Sequence, residues 1–93
     1  MEANQDRDTD VTAIRARVKE IIAQVSGLEV DEIGDDALLV DDLDLDSLSL
    51  MEIGVDVDYN YRLGLPDERL QEIRSVQDAV ELVRRELAAR EAA

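Results

Sequence analysis

The chain contains no cysteine, no histidine, no tryptophan and no phenylalanine, and it has a single proline. Without cysteine there can be no disulfide and no thiolate nucleophile supplied by the protein, and without histidine the usual general base near neutral pH is missing. The two aromatic residues, Tyr59 and Tyr61, leave the core to Leu, Ile, Val and Ala, which is the material of a helical bundle. Long apolar runs are also lacking: none approaches the roughly 20 residues needed to span a bilayer. The start, Met1-Glu2-Ala3-Asn4-Gln5-Asp6-Arg7, has no signal-peptide apolar region, so a cytoplasmic location is expected. Positive charge is scarce, with 10 basic against 24 acidic residues and a net charge of -14. Such a surface repels nucleic acid and anionic membrane and steers in partners that carry basic patches.

A chain of 93 residues holds one small domain, able to bury about 60% of its unfolded surface. Residues 1–9 are polar and aperiodic and read as a disordered lead-in. Val11, Ile14, Val18, Ile21, Ile22 and Val25 then recur at helical spacing, with Thr9 or Asp10 placed to cap the start and Gly27 to end the helix. A long loop follows, from Leu28 to about Asp46. Its apolar residues, Leu28, Val30, Ile33, Leu38, Leu39 and Leu43, predict that it packs across the bundle and contains short helical turns. From Ser47 to about Arg62 the stripe Leu50, Ile53, Val57 and Tyr61 predicts a second helix, against the competing alternation at Ile53–Tyr59 and the helix penalty of Gly54. Gly64-Leu65-Pro66-Asp67 breaks the chain before a short helix to about Ile73. Ser75 then resembles an N-cap for a last helix striped by Val76, Ala79, Val80, Val83 and Leu87. The domain is thus expected over residues 10–88, with a frayed tail at 89–93.

The residue that stands out chemically is Ser47, in the acidic run Leu43-Asp44-Leu45-Asp46-Ser47-Leu48. A serine-hydrolase role fails on inventory, since no histidine and no nearby lysine can activate the hydroxyl. Catalytic residues are therefore not expected, and the plainest use of Ser47 is as a helix cap. The Asp42, Asp44, Asp46 series starts like a calcium loop, but position six is Ser47 instead of Gly and position twelve is Ile53 instead of Glu. No metal site is expected either. Met51 and Val55 lie off the core stripe among Glu52 and Asp58, and are open to two readings, ordinary core or an apolar docking strip with an acidic rim.

Four ordered segments resemble the acyl carrier protein family. Val18-Lys19-Glu20-Ile21-Ile22-Ala23 is similar to its first helix, and Asp35-Asp36-Ala37-Leu38-Leu39-Val40-Asp41-Asp42-Leu43 to the loop that follows. Asp46-Ser47-Leu48 resembles its signature tripeptide, and Gly64-Leu65-Pro66-Asp67-Glu68 with Ile73–Val80 its third and fourth helices. The resemblance implies an all-α, four-helix bundle with a long loop between the first two helices. It also implies a carrier, not an enzyme, whose Ser47, flanked by Asp46 and Leu48, bears a covalent 4'-phosphopantetheine derived from coenzyme A. Acyl intermediates of fatty acid, polyketide or lipopeptide synthesis would ride on that arm. A phosphopantetheinyl transferase and acyl-transferring, ketosynthase or synthetase enzymes would be the partners of a monomeric chain. They would dock on Asp46, Leu48, Met51, Glu52, Val55, Asp56 and Asp58. An acyl pocket is expected from Ile53, Val57, Tyr61, Leu65, Leu70, Ile73 and Leu82. The family's usual glycine two residues before the signature Asp is here Asp44, and Gly54 stands where a larger residue is typical. The rival reading is an acidic helical interaction module without a prosthetic group.

Overall fold

The computed structural model describes residues 10–92. Four helices form: α1 Val11–Ser26, α2 Ser47–Tyr61, α3 Asp67–Leu70 and α4 Val76–Ala92, with a single 3₁₀ turn at Val30–Glu32 between α1 and α2. Helix α1 packs on both α2 and α4, while α2 also meets α3 and α4. Side chains set the helix starts by satisfying otherwise orphaned amides. Asp10 Oδ1 accepts from the Thr12 N–H at 3.0 Å, and α1 ends at Gly27 in the left-handed region. At α4, Ser75 Oγ accepts from Asp78 N–H at 3.0 Å and Asp78 Oδ2 accepts from Arg74 N–H at 3.1 Å, a reciprocal arrangement akin to a capping box.

The core is aliphatic throughout. Ile14, Val18, Ile21 and Ile22 from α1 meet Ile53 and Val57 from α2 and Val76, Ala79, Val80, Val83 and Leu87 from α4. Each large aliphatic side chain removed from water contributes about 1.5–3 kcal/mol before conformational entropy is subtracted. The helix period chosen for residues 47–61 over the strand-like alternation is the one observed: its stripe places Ile53 and Val57 inside the bundle, and among the described residues no strand is present to pair with. Helix α4 continues through residue 92 in an Ala-rich stretch of high helix propensity. There Arg90 Nη2 donates to the carbonyls of Tyr61 and Arg62, at 3.2 and 2.7 Å, and so closes the C-terminus of α2. Position near a helix end suggests that this arginine complements the dipole of α4; it serves the neighbouring helix as well. Helix α3 is a single turn ending at Leu70, shorter than the expected run to Ile73.

The loop between α1 and α2 belongs to the core. Ile33, Ala37 and Leu39 are buried in it, with Leu39 fully inaccessible. Its backbone is tied to the entry of α4, where Leu39 N–H donates to Arg74 O and Val76 N–H donates to Ala37 O, each at 3.0 Å. Turn hydrogen bonds from Asp42 and Leu43 N–H to Leu38 O, and from Asp44 N–H to Val40 O, close the next segment on itself. Asp42 Oδ2 accepts from Leu38 N–H at 2.8 Å and completes that turn. Farther back, Lys19 on α1 forms an ion pair with Asp35, which holds the Asp35 carboxyl below its usual range.

Leu39→Ala should therefore cost about 2–5 kcal/mol of unfolding free energy, the loss typical of a fully buried leucine. Leu38→Ala, at the half-exposed neighbour, should change stability by only about 0.5 kcal/mol. Urea denaturation of the two variants checks this; equal costs would place Leu39 outside the core.

Candidate functional site

Ser47 is the first residue of α2 and is exposed. Asp46 precedes it as N-cap in extended conformation: its carbonyl accepts from Leu50 N–H at 3.0 Å and its Oδ1 from Ser49 N–H at 2.8 Å. The cap is thus Asp46, and Ser47 is released from the capping role its position suggested. Its hydroxyl makes no hydrogen bond to another described residue. The Ser49 N–H, and then the Ser49 hydroxyl, hold the Asp46 carboxyl below the usual carboxylate range. Two residues earlier, Asp44 has φ 59. The glycine usual in the resembled family is replaced here by one of the few side chains that enter the left-handed region at modest cost. The turn into Ser47 is formed without glycine.

Beside Ser47 lies a cleft of about 580 Å³. Ser47, Leu50 and Met51 of α2 form one wall, Leu38, Val40 and Asp41 of the loop a second, and Leu70, Gln71, Ile73 and Arg74 a third. Gly54 packs against one residue of the third wall, Leu70. A Cβ there would lie 3.1 Å from Leu70 Cβ, so the missing side chain lets α3 approach α2 closely. The small residue noted at this position in the sequence has that packing consequence.

The residues expected to line an acyl pocket separate into groups. Leu70 and Ile73 line the cleft. Ile53 and Val57 are fully buried in the packed core, with Tyr61 and Leu65 partly buried against it. Leu82 borders a second, smaller hollow of about 110 Å³ with Glu72, Ile73, Asp78 and Arg85. Leu38, Val40, Asp41, Leu50, Gln71 and Arg74 were absent from the sequence-derived set; the dispersed apolar residues of the loop, Leu38 among them, were the one available signal.

The docking candidates also divide. Asp46, Leu48, Glu52 and Val55 are exposed, Leu48 at 67%, and Tyr59 at 80% extends their line along α2. Met51 is half-buried in the cleft wall, between the two roles left open for it. Asp58 is engaged internally, where its Oδ1 accepts from Leu65 N–H at 2.9 Å and ties down the connection to α3. Asp56 is half-buried, and its carbonyl accepts from Asn60 Nδ2 at 2.8 Å. Among the described residues no group of three or more acidic side chains is arranged to hold a metal ion. Nor is any described helix long and apolar enough to cross a membrane.

Comparison with known proteins gives a consistent result. A family model described as "Phosphopantetheine attachment site" matches residues 16–83. The chain is 43% identical over 72 residues to the meromycolate extension acyl carrier protein of Mycobacterium tuberculosis, a match covering 77% of this chain and 63% of that protein. It thus spans less than two thirds of that relative's length. An acyl carrier protein of Rhodococcus erythropolis is 40% identical, with 77% of this chain and 79% of that one covered. Among solved structures, the apo doublet acyl carrier protein from prodigiosin biosynthesis superposes with a TM-score of 0.70 at 29% identity. That superposition covers 77% of this chain and 35% of the doublet.

Because the folded Asp46 value is depressed, its cap stabilises the domain above the unfolded value of about 4 and loses that contribution as pH falls through the folded one. Asp46→Ala should lower the melting temperature at pH 7, and the gap from the parent should close below about pH 4. Asp46→Asn should keep the cap and remove this pH dependence. Thermal melts of the three proteins from pH 7 to pH 3 measure it; a gap independent of pH would contradict the capping role of the ionised carboxylate.

Proposed function

The chain belongs to the acyl carrier protein family, and on that premise we propose that it carries acyl intermediates as thioesters on a phosphopantetheine arm attached to Ser47 Oγ. The observation that carries this reading is an exposed hydroxyl at the start of α2, relieved of capping by Asp46 and opening on a cleft. The positive end of the α2 dipole favours a phosphodiester there, and Asp46 already uses part of that field. When bound, the arm supplies the thiol that a chain without cysteine lacks. The chain's own residues position the attachment hydroxyl and leave room beside it. The chain supplies no histidine and its one lysine is paired with Asp35, so a base on the transferase would take the Ser47 proton.

Partner enzymes would dock along α2. Leu48, Val55 and Tyr59 supply exposed apolar contact, and Asp46 and Glu52 an acidic edge suited to arginines on the partner. Fatty acid, polyketide and lipopeptide assembly all use chemistry of this kind. Membership of a carrier family, together with this attachment geometry, favours the carrier over an interaction module without a prosthetic group.

Incubation with coenzyme A and a promiscuous phosphopantetheinyl transferase should add the mass of one phosphopantetheine group, read on the intact protein. Ser47→Ala should abolish the gain while the helical circular dichroism signal is retained. A gain that survives Ser47→Ala, at Ser26, Ser49 or Ser75, would overturn the assignment.

A further inference from the structure

Helix α2 carries Ser47 at its start, and its other end is formed under strain. It stops in a Schellman arrangement: Arg62 N–H donates to the carbonyls of Asp58 and Tyr59, and Leu63 N–H donates to Asp58 O at 3.1 Å. Such a stop calls for a residue in the left-handed region, a place usually taken by glycine, as Gly27 takes it at the end of α1. At α2 the residue is Arg62, with φ 54, and its Cβ makes that conformation costly.

What offsets the strain comes from 28 residues further along the chain. Arg90 Nη2 donates to Arg62 O at 2.7 Å and to Tyr61 O at 3.2 Å, carbonyls that the end of α2 leaves without helical partners. Both bonds are exposed to solvent, so their effect is local: they close one strained turn and add little to global stability. That turn bears Tyr59, whose own carbonyl accepts from Arg62 N–H. Tyr59 is 80% exposed. A ring that touches so little of the domain is placed by its backbone, so what holds the turn holds the ring. The start of α2 has its own support, since Asp46 caps it.

We infer that Arg90 is a positioning residue for partner docking: by fastening the last turn of α4 to the last turn of α2, it holds Tyr59 in line with Leu48 and Val55. This rests on docking along α2. The far end of the docking line then depends on a residue that no partner need touch, and formation of the last turn of α4 becomes a condition for full engagement.

Three variants of the whole chain test this, with a promiscuous phosphopantetheinyl transferase as the docking partner. In Arg90→Ala the Arg62 and Leu63 amides should exchange roughly 5–10-fold faster by native-state hydrogen exchange, while those of Leu50 and Val57 keep the parent rates. The KM of the apo protein in the transfer reaction should rise about threefold with kcat little changed, as it should in Tyr59→Ala. Arg90→Lys should restore both readouts, because the two bonds come from one nitrogen and an ammonium also carries several donors. Acceleration of all four amides alike, or an unchanged KM in Arg90→Ala while Tyr59→Ala raises it, would overturn the inference and leave docking along α2 intact. An unchanged KM in Tyr59→Ala would overturn the docking reading at that end of α2, and the inference with it.

Discussion

Two backbone hydrogen bonds, from Leu39 N–H to Arg74 O and from Val76 N–H to Ala37 O, hold together the end of the domain that carries Ser47. They fasten a long connection to the entry of α4, and the buried Leu39 side chain locks it there. Without this clamp, residues 38–46 would be an open loop with unpaired amides and exposed leucines, which chain entropy disfavours ordering. With it, the turn through Asp44 is closed, Asp46 arrives as the cap of α2, and Ser47 is left exposed at a defined place. The same clamp makes one wall of the cleft from the loop and another from the residues just before α4. The exposed position of Ser47 and the cleft beside it both depend on this clamp.

Negative charge acts on this arrangement in two ways. Carboxylates that have been given hydrogen bonds are structural: Asp10, Asp46 and Asp78 cap helices, Asp42 closes the turn at Leu38, and Asp58 fastens Leu65. The unpaired remainder repel one another and leave the domain dependent on its aliphatic core for stability. Arginine offsets part of this, as at Arg69 with Glu72 and Glu86, and at Arg84 with Glu81, whose carboxyl is held below its usual range by Arg84. These are partly exposed pairs, each worth little alone. The arginine of greatest structural consequence is Arg90, whose guanidinium is directed at carbonyls at the end of α2.

Helix positions were legible from periodicity because the stripes at Ile14–Ile22, Ile53–Val57 and Val76–Leu87 are what the bundle buries. The capping roles of Asp10, Gly27 and Ser75 were legible for the same local reason. Ser47 was singled out by its acidic context and by its resemblance to a signature, both of which are short-range. What was not legible depends on contacts distant in sequence. Ile53 and Val57 are packed in the core and stand apart from the cleft, and neither that nor how closely α3 approaches α2 at Gly54 is encoded by spacing. Asp58 looked like a surface acid because its partner, Leu65 N–H, lies in the next connection. Gln71 and Arg74 fall between two helices, where periodicity carries no signal. Residues 1–9, read as a disordered lead-in, lie outside the described part of the chain.

Native-state amide hydrogen exchange tests the clamp most directly. If the loop is part of the cooperative core, the Leu39 and Val76 amides exchange only through global unfolding, with opening free energies equal to those of Ile22 in α1 and Val80 in α4. Exchange of Leu39 and Val76 by a local opening, while Ile22 and Val80 stay protected, would mean that the loop is not held and that Ser47 and the cleft are not fixed by it.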